Sequence, residues 1–70
     1  MNTPELKAQM ARKEMTAEQL CAAIGISKSA WYRKTNGITE FTQGEIYGIR
    51  ATLGLDDHLT TLIFFNDEVS

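Results

Sequence analysis

The sequence has almost nothing with which to cross-link itself or hold a metal. Its one cysteine, Cys21, excludes an intramolecular disulfide, and a single histidine, His58, leaves no zinc-ligand constellation to assemble. No run approaches the roughly 18 apolar residues that a membrane-spanning helix needs, and the opening MNTPELKAQMARK lacks the apolar stretch of a signal peptide. A cytoplasmic protein is expected. Repeats, low-complexity tracts and linkers are missing, and the only proline is Pro4. No nucleophile, base and orienting residue are spaced to form a catalytic site, so an enzyme is the weakest reading; no metal, cofactor or small-molecule substrate is expected.

What is present is enough for one small domain. At 70 residues the chain can bury only about 60% of the surface that it exposes when unfolded, so each helix must offer a clean apolar face. A hydrophobic content of 43% supports a packed core and argues against disorder. The formal net charge of -2 hides a polarity. Residues 1–36 carry Lys7, Arg12, Lys13, Lys28, Arg33 and Lys34 against Glu5, Glu14 and Glu18, a net of +3; residues 37–70 carry Arg50 against Glu40, Glu45, Asp56, Asp57, Asp67 and Glu68, a net of -5. Such asymmetry fits a surface that faces a polyanion opposite an acidic one, or chance segregation in a short chain.

Punctuation divides the chain into five helices. Thr3-Pro4 marks the first start, with threonine as cap and proline in the first helical position, for a helix to about Glu14 with Leu6 and Met10 inside and Lys7 and Arg12 outside. Thr16-Ala17-Glu18-Gln19 fits a capping box opening a short second helix, closed by Gly25 and buried along Leu20, Cys21 and Ile24. Ser27 caps a third helix from Lys28, which Asn36-Gly37 ends. In the loop that follows, Ile38 and Phe41 should tuck under the bundle. A second box, Thr42-Gln43-Gly44-Glu45, opens a fourth helix with Ile46, Ile49 and Leu53 on one stripe and Gly54 at its end. Gly44 and Gly48 each cost about 1 kcal/mol of helix propensity, which would fit close approach of another backbone. Asp56 caps a fifth helix to Phe64 or Phe65, buried along Leu59, Leu62 and Ile63. The expected fold is all-α, a compact bundle of five short helices over residues 1–65 with a polar tail at 66–70.

The run from Thr16 to Gly37 carries the chemistry. Two helices joined through Gly25-Ile26-Ser27 make a helix-turn-helix, whose second helix can protrude from the surface. Residues three and four apart share a helical face, so Lys28, Ser29, Tyr32 and Arg33 form one strip of ammonium, hydroxyl, phenol and guanidinium groups. Arginine bonds guanine bidentately, serine serves several bases and lysine holds guanine or phosphate, which makes these four the candidates for base contact. Thr16, Gln19 and Ser27, at helix starts whose free amides favour an anion, and Lys34 and Asn36 at the far end, are the candidates for phosphate contact. Lys34 suits solvent equally well. Trp31 continues the apolar face set by Ile26 and reads as core rather than as a nucleic-acid contact, and Cys21 as a small core residue rather than a reactive thiol.

The stretch M-T-A-E-Q-L-C-A-A-I-G-I-S-K-S-A-W-Y-R-K-T-N-G, Met15 to Gly37, resembles the phage Cro and repressor (Xre-like) helix-turn-helix proteins, whose common run is L-T-x-x-x-L-A-x-x-x-G-I-S-x-S, then an apolar residue, then N-G. The later E-F-T-x-x-E-I and the I-F-F near the end look like small prophage regulators of Gram-positive bacteria. The resemblance implies a lambda-repressor-like bundle, sequence-specific binding to a double-stranded DNA operator and control of transcription. Three positions depart from it. Ala17 stands where many relatives place a glutamine that fixes a backbone phosphate, and Cys21 replaces the usual alanine. Thr35 and Lys34 stand where relatives often carry a buried aliphatic residue, so the end of the third helix should be less firmly anchored.

A module this small touches few base pairs, so two copies on half-sites are expected. Ile63, Phe64 and Phe65 are the candidates for dimer contact, although they could equally seal the monomer core. A second reading keeps the fold but makes the chain a protein-interaction module, such as an antirepressor, that holds a partner through its acidic second half.

Overall fold

Local capping decides where the helices begin. The computed structural model describes residues 1–65, and these form α1 (Thr3–Arg12), α2 (Ala17–Ile24), α3 (Lys28–Thr35), α4 (Gln43–Leu53) and α5 (Asp57–Phe64), with no strand among the described residues. Both capping boxes close: Gln19 N–H donates to Thr16 Oγ1 and Glu45 N–H to Thr42 Oγ1, each at 3.1 Å, while the Gln19 and Glu45 side chains accept the Thr16 and Thr42 N–H groups at 2.9 Å. Ser27 and Asp56 cap α3 and α5 through the amides of Ala30 and Leu59, at 3.1 Å and 2.8 Å.

The first helix differs from its expected form at both ends. Asn2 rather than Thr3 is its cap, accepting from Glu5 N–H at 3.1 Å, and Thr3 is already helical. The Thr3 hydroxyl instead donates to the Thr35 carbonyl at 3.1 Å, tying the start of α1 to the end of α3. The helix stops at Arg12 rather than Glu14, because Glu14 turns left-handed at φ 54° and lets Met15 N–H close on the Met10 carbonyl at 2.9 Å. The same closing bond follows Gly25, Gly37 and Gly54, made by Ile26 to Cys21, Ile38 to Arg33 and Leu55 to Arg50. In three of the four closures the apolar residue after the left-handed position is buried or half-buried; Ile38 is 66% exposed. Of the two loop residues expected under the bundle, then, only Phe41 packs there.

One cluster forms the core: Leu6, Met10, Leu20, Cys21, Trp31, Ile49, Leu53, Leu55 and Ile63. Burial pushes the Cys21 thiol above its ordinary value, against the pull of Lys28. Along α5 Ile63 is fully buried while Leu59 and Leu62 are half-buried; Thr60 takes an inner place, its hydroxyl satisfied by the Asp56 carbonyl at 2.8 Å. Asn2 N–H donates to the Ile63 carbonyl at 2.7 Å, which pins the amino terminus to α5. Edge-on aromatic contacts run from Trp31 to Phe41, centroids 5.6 Å apart, and from Phe41 to Phe64, 5.7 Å apart.

A polar contact completes the packing between α3 and α4. Lys34 Nζ lies 3.1 Å from Glu45 Oε1, and the side chains are 13% and 18% exposed. Burial pushes the Glu45 carboxyl up, but the Thr42 backbone N–H, the Lys34 ammonium and the Thr42 hydroxyl together outweigh it and hold the group below its ordinary value.

Only one of the two mid-sequence glycines of α4 marks a close approach, and the neighbour is a side chain. A Cβ on Gly48 would meet Ile24 Cγ2 at 2.9 Å, whereas one on Gly44 would meet nothing within 4 Å. Gly44→Ala is therefore expected to stabilise by roughly 0.5–1 kcal/mol, and Gly48→Ala, facing a stiff β-branched side chain, to destabilise by about 1–3 kcal/mol. Urea denaturation of the pair checks both signs. A second prediction concerns acid. Because the folded carboxyl of Glu45 is lowered, its contribution is present above the unfolded value near 4.5 and is lost as pH falls through the folded value. Glu45→Gln, which keeps the capping box, should lower the urea midpoint at about pH 7 and converge on the wild type towards about pH 2; a constant difference would assign the loss to something other than charge.

Candidate nucleic-acid interface

The turn between α2 and α3 is built from three residues with separate tasks. Gly25 takes φ 77°, which an L side chain adopts only with strain, and its N–H closes α2 on the Cys21 carbonyl at 2.8 Å. Ile26 turns inward against the core. Ser27, extended at φ -81° and ψ 163°, caps the next helix. The chain thus leaves α2 and enters α3 with one apolar anchor between them.

From that start, helical spacing sorts the side chains of α3. Trp31 points inward and is 7% exposed. Lys28, Ser29, Tyr32 and Arg33 are all exposed, with Tyr32 at 66%, and Asn36 continues the same side just past the helix end. Neither Lys28 nor Arg33 makes an ion pair among the described residues, so two full positive charges stand on this strip. The Asn36 side-chain amide donates to the Tyr32 carbonyl at 2.7 Å.

The other proposed contact residues divide. Thr16, Gln19 and Ser27 are exposed at the starts of α2 and α3, where each side-chain oxygen accepts a backbone N–H. The two hydroxyls keep a proton to donate and Gln19 keeps its NH2 group. Ala17 is half-buried against the core and offers no polar group to a phosphate. Lys34 does not join the strip: it is folded back on Glu45, with a further bond from Nζ to the Glu40 carbonyl at 3.2 Å. Nor is the end of α3 loose. The Thr35 hydroxyl donates to the Trp31 carbonyl at 2.9 Å, and its own carbonyl accepts from the Thr3 hydroxyl, so two polar clasps hold this end. The tie from Thr3 spans 32 residues of chain, and no local pattern announces it.

The three residues Ile63, Phe64 and Phe65 at the end of α5 have different fates. Ile63 is fully buried and belongs to the core, not to a dimer contact, because a side chain with no exposed surface has none to share. Phe64 is half-buried on Phe41, and Phe65 is 57% exposed. The polar tail at 66–70 lies outside the described residues.

Among the described residues no group of three His, Cys, Asp or Glu could hold a metal ion, and no helix is long and apolar enough to cross a membrane. Searches of curated proteins and of solved structures return no match. The family model of the Cro/C1-type HTH DNA-binding domain matches residues 5–67, which takes in α1 from Glu5 and the whole of α2 to α5. A glycine-bent pair of helices with a cationic outer strip, set in that bundle, identifies the chain as a member of the Cro/C1-type helix-turn-helix DNA-binding domain family.

Proposed function

We propose that the protein is a transcription regulator of the Cro or repressor type that reads the major groove of a DNA operator with α3. The observation that carries this reading is the outward strip of Lys28, Ser29, Tyr32 and Arg33 opposite the buried Trp31. Arg33 offers the planar fork that matches guanine O6 and N7, and Lys28 and Ser29, beside the free amides of the first turn, offer further donors. Thr16, Gln19, Ser27 and Asn36 flank the strip and fix its register by holding phosphates, while Lys34 is engaged inside the protein. The antirepressor reading has less behind it, because two of the acids that motivated it, Glu45 and Asp57, are already paired with Lys34 and Arg50.

An eight-residue helix is about 12 Å long and spans only three or four base pairs. Two copies on half-sites about one helical turn apart supply the missing specificity. Phe65 and Tyr47, 57% and 63% exposed, line one shallow groove between α4 and α5 together with Arg50 and Asp57, and this is the surface proposed for self-association.

Selection of bound duplexes from a random pool provides the operator. Fluorescence titration should then show Arg33→Ala losing about 1–3 kcal/mol on that operator and little on a scrambled duplex, with affinity falling steeply as salt rises. Affinity indifferent to salt, or an Arg33→Ala protein with wild-type preference, would overturn the reading. For the pairing surface, Phe65→Ser should shift sedimentation equilibrium towards monomer; an unchanged average mass would remove Phe65 from the interface.

A further inference from the structure

A reading helix must hold its outer face at a fixed angle, yet α3 has little apolar anchorage with which to do so. It has eight residues and one buried side chain, Trp31. Helices shorter than about 12 residues do not sustain themselves in water. Tilting a rod of about 12 Å by about 10° moves its end by about 2 Å, and hydrogen bonds to base edges tolerate only a few tenths of an ångström. Something besides Trp31 has to set the angle.

Two polar ties grip the carboxyl end of the helix. From α1, Thr3 Oγ1 donates to the Thr35 carbonyl. From α4, Glu45 Oε1 receives Lys34 Nζ at 3.1 Å while accepting the Thr42 N–H at 2.9 Å, so a single carboxylate oxygen holds both the end of α3 and the start of α4. The ammonium also donates to the Glu40 carbonyl at 3.2 Å and lies 5.8 Å from the centroid of the Phe41 ring, whose edge contact with Trp31 is the apolar half of the same joint. Were the ammonium to swing out to a phosphate, it would give up both bonds and leave a largely enclosed carboxylate without its cation, a costly state.

We propose that Lys34 and Glu45 are positioning residues, whose ion pair sets the angle at which α3 presents Ser29, Tyr32 and Arg33, so that Lys34 governs operator affinity without touching DNA. This inference rests on the major-groove reading and adds to it the joint that aims the helix. It makes a prediction of sign that a direct contact cannot share. Lys34→Met removes a positive charge and keeps the stem over Phe41; Glu45→Gln removes a negative charge and keeps the capping box. Towards a polyanion, plain electrostatics makes these two changes act in opposite directions. Loss of a shared joint makes them act in the same direction.

The test is titration of full-length wild type, Lys34→Met, Glu45→Gln, the double variant and Lys34→Arg against the selected operator and a scrambled duplex over a range of salt, with melting temperatures measured alongside. Both single variants should lose on the order of tenfold on the operator and little on the scrambled duplex. The double variant should lose no more than either single one, Lys34→Arg should recover most of the affinity, and the salt slope should stay at the wild-type value. Three outcomes overturn the proposal. A slope reduced by about 0.9 in Lys34→Met, with Glu45→Gln binding both duplexes more tightly, makes Lys34 a phosphate contact. Lower melting temperatures with wild-type operator preference make the pair a matter of stability alone. A wild-type protein that prefers no duplex sinks the major-groove reading itself, and is told apart because every variant then matches wild type on both duplexes.

Discussion

The edge of Trp31 against Phe41, and of Phe41 against Phe64, is the contact on which the rest of the molecule turns. Aromatic rings in this orientation gain from the opposed charge of edge and face as well as from burial. The three rings come from α3, from the loop before α4 and from α5, so the stack joins segments that are distant in sequence. It also settles which side of α3 is hidden. With Trp31 held inward, the residues two positions back and one and two positions ahead, Ser29, Tyr32 and Arg33, face out, and those are the residues that carry hydroxyl, phenol and guanidinium groups.

A small domain cannot afford many buried polar groups, and this one satisfies all of those that it has. No enclosed side-chain nitrogen or oxygen lacks a partner among the described residues. Gln9, 6% exposed, donates to Glu5 at 2.8 Å one turn away, and Thr60 bonds back to its own helix. The longer ties, Thr3 to Thr35 and Lys34 to Glu45, cross between elements and both meet at the carboxyl end of α3. Polar specificity is concentrated where apolar packing is thinnest.

Charge is distributed in the same spirit. A net charge of -2 is unpromising for a protein that binds a polyanion, and the average is not what a duplex would meet. Lys34 and Arg50 are paired with Glu45 and Asp57, while Lys28 and Arg33 have no carboxylate against them among the described residues. Pairing takes Lys34 and Arg50 out of play and leaves Lys28 and Arg33 on the α3 strip, with Lys7, Arg12 and Lys13 exposed on and just after α1, so the strip itself is cationic although the whole chain is not.

Four of the five helix starts, the glycine stops and most of the inward stripes were determined by the sequence alone, because each depends on residues within a turn or two of one another: Thr16 with Gln19, Thr42 with Glu45, Ser27 with Ala30. The helix-turn-helix and its strip follow from the same short-range geometry. Tertiary structure decided everything that needed a distant partner. Asn2 outcompeted Thr3 as a cap while Thr3 found Thr35, Gly48 but not Gly44 met Ile24, and Ile38 stayed in solvent where its apolar character would place it inside. Lys34, equally suited by its own sequence to solvent or phosphate, became part of a joint because folding brought a carboxylate eleven residues away to its ammonium. Periodicity says which way a side chain points relative to its own helix; only packing says what waits there.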